Sequence, residues 1–211
     1  NQCNLKCLHC YNESSINNHQ YIEMNQFIAI VNQMLNAGIR HITLSGGEPL
    51  LQIDFLLEFF KKAKEKGIHT TIDTAGGPFT REEPFFSKFQ ELMKYTDLLL
   101  VDIKHIDTEC HKVLTGRSNE NILDMIRYLS DIKKPIWIRH VLVPERSDKD
   151  EYLTRLADFI HSLDNVEKVE ILPYHTMGIY KWKELGLDYP LEGIEPPTKE
   201  RVENAKKILA I

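Results

Sequence analysis

No apolar run in this 211-residue sequence approaches the roughly 20 residues that a membrane-spanning helix needs. The longest near-apolar stretches, "LLLV" and "VLVP", are strand-sized. An excess of one charge is also lacking. Lys and Arg number 26 against 31 Asp and Glu, a net charge of −5, which gives no electrostatic footprint for nucleic acid or an acidic membrane. No signal peptide is visible, although the chain opens on Asn1 rather than Met, so an upstream segment is expected. Cysteine is scarce. Four in the whole chain do not make a disulfide framework, and clustered thiols point to a reducing, cytoplasmic compartment.

What is present is an ordinary globular mix, 42% hydrophobic and 27% charged, read as a single domain over residues 1–211. The pattern alternates. Strand-like runs at 40–45, 68–74, 97–103, 136–143 and 166–173 are separated by helical periodicities at 54–67, 82–94, 107–115, 119–132 and 148–163. A helix at 25–38 precedes them and one at 198–209 closes the chain. Such alternation implies an α/β fold with parallel strands joined by right-handed crossovers, either a doubly wound sheet or a barrel. The stretch 174–197 carries three prolines and no clear period, and reads as an ordered loop over one face. Polar residues fall at the C-terminal ends of the strands, where α/β sites form.

Three of the four cysteines crowd into "CNLKCLHC" at 3–10, spaced C-x₃-C-x₂-C. Structural zinc takes four ligands, so a zinc site here requires a distant His. A [4Fe–4S] cube offers four iron corners, and three thiolates leave one open. Spacing alone leaves both readings standing. Cys110, in "DTECHKVL", reads as a half-buried small hydrophobe in a helical segment with no partner nearby.

The triplet followed by "SGGEP" resembles the radical S-adenosylmethionine (SAM) superfamily. "CNLKCLHCYN" is similar to its cluster loop and "SGGEPLLQ" to its Gly-Gly-Glu segment. The resemblance implies a partial (β/α)₆ TIM-like barrel whose first strand lies upstream of Cys3, outside this sequence. Further along, "LLLVDIKHID", "HKVLTGRSNE", "IWIRHVLVP" and "LPYHTMGIYKWKELGLDYPLEG" are similar to the glycyl-radical activases that act on pyruvate formate-lyase, over residues 3–209. No cysteine lies between Cys10 and Gly46, so the cysteine-rich insert of many other activases is absent. The resemblance implies reductive cleavage of SAM at a [4Fe–4S] cluster to a 5′-deoxyadenosyl radical, which takes hydrogen from a glycine of pyruvate formate-lyase. A flavodoxin or ferredoxin is implied as electron donor. Another radical SAM enzyme acting on a small molecule, and a zinc-stabilised binding protein, are the alternatives.

Roles then follow residue by residue. The resemblance makes Cys3, Cys7 and Cys10 ligands of three irons, with the amino and carboxylate groups of SAM on the fourth. Gly46 and Gly47 admit a close backbone approach, and Glu48 accepts from the methionyl ammonium. Asp73 and Asp102 bring two carboxylates to neighbouring strand ends, where they would repel the SAM carboxylate unless a cation or ammonium bridges the group. The resemblance implies a monovalent cation there, with Thr74 assisting; helix capping is the plain alternative. Ile103 and Lys104 continue that strand end, and Lys104 and Arg139 offset the carboxylates and hold SAM. His175 contacts adenosine, and His9, Tyr11 and Asn12 line the SAM pocket. Tyr11 and Ala75 stand where the family usually has His and Asn. Tyr180, Trp182 and Tyr189 either help receive the partner's glycine loop or form a packed cap, two readings of equal weight.

Overall fold

The computed structural model describes residues 3–10 and 23–210. Tyr11 and Asn12 lie outside the described residues. The elements are α1 (Met24–Asn36), β1 (His41–Leu44), α2 (Ile53–Glu65), β2 (His69–Thr74), α3 (Phe85–Lys94), β3 (Leu98–Asp102) and α4 (Thr108–Thr115). They continue with α5 (Glu120–Asp131), β4 (Ile136–Leu142), α6 (Asp150–His161), β5 (Val166–Pro173), α7 (Ile179–Glu184) and α8 (Lys199–Ile208). A single 3₁₀ turn at Pro49–Gln52 leads into α2.

Local chemistry accounts for these boundaries. In α2, Ile53, Leu56, Phe59, Phe60 and Ala63 recur at helical spacing and are buried. Asp54 in its first turn and Lys62 and Lys64 in its last complement the helix dipole. Asp107 caps α4 by accepting from the Glu109 and Cys110 amides at 3.1 Å each. Gly116 ends that helix in the left-handed region at φ 77°, where a β-carbon is costly. Pro84 lies at the N-cap of α3.

All five described strands pair in parallel in the order β1-β2-β3-β4-β5. Each strand sits beside its sequence neighbour, so the sheet winds in one direction. A doubly wound sheet reverses its order at a switch point; this one does not, which favours the barrel-type reading. In β4, Ile136, Ile138, His140 and Leu142 are buried and Trp137, Arg139 and Val141 are half-buried. One face of the sheet thus packs under the helices, and Phe59, Phe89, Leu99, Met125 and Ile138 fill that core. The other face carries Asp73, Asp102, Arg139, Val141 and Leu172, which line one cleft.

The stretch after β5 is more ordered than its sequence suggests. It contains α7, and Trp182 and Tyr189 are buried while Tyr180 is exposed. Together with Val143, Tyr174 and Leu191 they form a second apolar cluster, against which Leu8 and Cys10 pack. Prolines had masked this periodicity, and the six residues of α7 are too few to show it. For Trp182 and Tyr189 the packed-cap reading is the one the burial supports. Cys110 also differs from expectation. Its thiol lies 3.4 Å from the Tyr152 hydroxyl, a partner 42 residues away that no local pattern reveals.

Phe89 is fully buried and packs edge-on against Phe79 at 5.1 Å between centroids. Phe89→Ala is expected to cost about 3–5 kcal/mol, seen as a lower urea midpoint at unchanged slope.

Candidate functional site

The loop from Cys3 to Cys10 has no strand or helix of its own and is held by what surrounds it. The Lys6 amide donates to the Thr115 carbonyl at 2.8 Å, and the Leu8 amide to the Leu114 carbonyl at 3.0 Å. These are carbonyls at the C-terminus of α4, which have no partner within the helix. The Cys10 amide donates to the Cys7 carbonyl at 3.0 Å, closing a tight turn. The Trp182 indole N–H donates to the Cys10 carbonyl at 2.7 Å. On the opposite side the loop presses on Gly77, where an added β-carbon would lie 2.6 Å from Asn4 Oδ1. Sequence reasoning missed Asn4, Gly77, Thr115 and the Trp182 contact. Only the second glycine of "DTAGG" hinted at a close approach.

Cys3, Cys7 and Cys10 line a cleft of about 360 Å³ with His9, Gly46, Gly47, Ser45 and the strand-end residues Asp73, Thr74, Asp102, Lys104 and Arg139. A second cleft of about 430 Å³ beside α4, with Cys110 and Tyr152 in its wall, contains none of the expected site residues. The structure therefore brings eleven of the sixteen expected residues, the three cysteines among them, onto the walls of one cleft.

Burial pushes the Cys7 thiol up to about 12, against the pull of Lys104, and also pushes the Cys3 thiol up. Bare thiolates are disfavoured at these positions, and a bound cation would reverse that balance. Among the described residues, no three His, Cys, Asp or Glu side chains converge on a point where one metal ion could sit. His9 is half-buried, and desolvation followed by the nearby Lys104 lowers its pKa to about 3, so it borders the cleft neutral.

The strand ends form one charge network. Arg139 donates from Nε to Asp102 Oδ1 at 3.0 Å, and its Nη2 pairs closely with Asp73. Lys104 pairs with Asp102 Oδ2 at 2.7 Å, and Ser45 donates to Asp73 Oδ2 at 2.9 Å. The two carboxylates that would repel each other are bridged by the protein's own guanidinium. Burial raises the Asp102 pKa, but Lys104 and Arg139 outweigh it and hold the carboxyl below its usual range.

Glu48 is only 2% exposed. Its Oε1 accepts from the Thr74 hydroxyl at 2.5 Å and the Leu50 amide at 3.1 Å, and its Oε2 from the Ala75 amide at 3.0 Å. Burial raises its pKa despite these bonds. It is a tie between the Gly-Gly-Glu turn and the end of β2, and it does not line the cleft. Gly46, at φ 144°, occupies backbone space that only glycine enters readily.

Ile103 is buried, and its contribution is through the backbone. Its amide donates to the Arg139 carbonyl at 3.0 Å. Its carbonyl lies 2.8 Å from His140 Nδ1, so His140 steadies the strand end between Asp102 and Lys104. His175 is exposed and is not among the residues lining the cleft.

Several known proteins are similar to this chain. A family model described as the Radical SAM superfamily matches residues 1–157. The pyruvate formate-lyase-activating enzyme of Streptococcus mutans is 56% identical over 168 residues, covering 80% of this chain and 64% of that protein. The enzyme of the same name from Staphylococcus epidermidis is 49% identical over 209 residues, covering 96% of this chain and 83% of that protein. The crystal structure of a domain of the corresponding Bacteroides vulgatus enzyme superposes with a TM-score of 0.65 at 28% identity, over 80% of this chain and 92% of that one. Streptococcus suis SuiB bound to S-adenosylmethionine superposes with a TM-score of 0.74 at 18% identity, over 99% of this chain and 44% of that one, a likeness of fold alone.

Among the described residues, Arg139 is the one group that pairs with both carboxylates, at side-chain exposures of 14–19% for the three residues. Arg139→Met leaves Asp73 facing Asp102 and is expected to cost about 3–5 kcal/mol at pH 7. The folded pKa of Asp102 is depressed, so its ion pairs stabilise the fold above the usual value of about 3.9 and are lost as pH falls through the folded value. Urea melts of both proteins should therefore diverge at pH 7 and converge below about pH 4.

Proposed function

The chain belongs to the radical SAM superfamily, and from that premise we propose that it activates pyruvate formate-lyase by generating a glycyl radical on it. The carrying observation is that three thiols share a cleft with a balanced set of strand-end charges. Cys3, Cys7 and Cys10 would hold a [4Fe–4S] cluster, and the fourth iron would be left for SAM. When bound, cluster and SAM supply reductive cleavage of the sulfonium and a radical able to take hydrogen from a glycine Cα.

The chain's own residues bind and orient. Gly46 and Gly47 let backbone approach the methionyl end closely. Glu48 acts on that end through the turn it fixes, by way of Thr74 and Ala75. Lys104 and Arg139 face the SAM carboxylate while their charge is shared with Asp102 and Asp73. Because Arg139 already bridges those carboxylates, a monovalent cation beside Asp73, Thr74 and Asp102 would supply the positive charge that the SAM carboxylate adds to the need. His9 borders the same cleft as a neutral ring, and Tyr11, Asn12 and His175 complete the proposed SAM contacts. A flavodoxin or ferredoxin would deliver the electron, in the cytoplasm. No helix among the described residues is long and apolar enough to cross a membrane.

The test is anaerobic mixing of the iron-reconstituted chain with pyruvate formate-lyase, SAM and a reductant, followed by electron paramagnetic resonance. A glycyl radical on the partner is expected, and Cys7→Ser should abolish it along with the iron. SAM cleavage without any radical on that partner would instead favour a small-molecule substrate.

A further inference from the structure

The thiol loop is held from more than one side, and one of its contacts comes from far along the chain. On one side, the carbonyls of Leu114 and Thr115 seat Leu8 and Lys6. On the other, Trp182 reaches the loop from a position 172 residues away in sequence. Its ring is 7% exposed, and it meets Tyr189 edge-on at 5.5 Å between centroids. The Tyr189 hydroxyl is in turn bonded to that of Tyr174 at 2.9 Å. Tyr174 follows β5 directly, and its amide donates to the Leu142 carbonyl at 3.2 Å. A continuous packed chain therefore runs from the sheet through two tyrosines to one indole and ends on the third cysteine. Leu8 and Cys10 are themselves packed against that cluster.

Packing alone does not require the ring nitrogen to point at the Cys10 carbonyl. Any large apolar side chain fills the volume, whereas only a donor satisfies a carbonyl held away from water. The bond fixes the peptide that follows the Cys10 side chain, and with it the direction of the third thiol relative to Cys3 and Cys7. It also places a donor dipole beside a ligand of the metal site. Donors close to cluster ligands stabilise the reduced, more negative state and so raise the reduction potential.

We propose that Trp182 is a positioning residue for the iron–sulfur cluster, whose indole N–H bond to the Cys10 carbonyl holds the third ligand and tunes the cluster's potential. The inference rests on the cluster reading given above. Iron and sulfide analysis of the unaltered chain tests that reading by itself, so the two can fail separately.

Three altered chains isolate the bond. Replacement of Trp182 by 3-benzothienylalanine keeps the shape and exchanges the ring N–H for sulfur. Trp182→Phe removes the N–H and part of the volume. Tyr189→Leu removes the edge contact and the hydroxyl pair but leaves the indole N–H. Each is reconstituted anaerobically and measured for melting temperature, for the rate of iron loss to a chelator, and for the cluster's midpoint potential without SAM. The benzothienyl and Phe variants are expected to lose iron several-fold faster and to show a lower potential, with the benzothienyl variant melting like the parent. Tyr189→Leu is expected to melt earlier while keeping the parent potential. A benzothienyl variant with the parent's potential and iron-loss rate would overturn the proposal. So would potential shifts in all three variants that simply follow their loss of stability.

Discussion

A single guanidinium sits between two carboxylates on neighbouring strands, and the site depends on that bridge. Asp73 is the penultimate residue of β2 and Asp102 ends β3, and Asp102 lies opposite Arg139 in the pairing of β3 with β4. Parallel strands in sequential order bring these ends to one edge, and alternation turns all three side chains to the same face. Without a cation there, the sheet could not hold both acids ionised at that separation. With it, and with Lys104 on the far oxygen of Asp102, the cleft floor is near charge balance before any ligand enters. A ligand that carries both an ammonium and a carboxylate can exchange partners within such a network without leaving an uncompensated charge.

The thiol loop is the complement of this floor. It carries the three thiols but almost no regular structure, so its geometry is borrowed from α4, from the Gly77 turn and from the segment after β5. Each borrowed contact uses a group that would otherwise be unsatisfied or excluded. The end of α4 offers carbonyls with no partner in the helix, Gly77 offers the space of a missing β-carbon, and Trp182 offers a buried N–H. The site is therefore a meeting of elements distant in sequence, and its precision depends on the fold rather than on the loop.

How much of this is legible in the sequence follows from range. The alternation of strands and helices is local, and the ends of β1 to β5 fall within two residues of where periodicity puts them. The cysteine triplet and the Gly-Gly-Glu turn are legible because their chemistry is compressed into a few residues. Winding in one direction, which separates a barrel-type sheet from a doubly wound one, is a property of strand order and becomes visible only in the pairing. The short helix α7 escaped because six residues carry less than two turns of pattern. The resemblance gives Glu48 a place beside the methionyl ammonium; its bonds to Thr74, Ala75 and Leu50 join residues up to 27 apart and are not legible locally. The bonds from Trp182 to Cys10 and from Cys110 to Tyr152 span 172 and 42 residues and leave no local trace.

The claim at the centre is that three thiols hold a cluster and leave one iron for SAM. It is tested most directly by the electron paramagnetic resonance spectrum of the reduced, iron-reconstituted chain before and after SAM is added. A cluster of about four irons per chain, whose signal changes shape when SAM binds, is the predicted result. A colourless chain holding one zinc ion, or an iron signal indifferent to SAM, would contradict it.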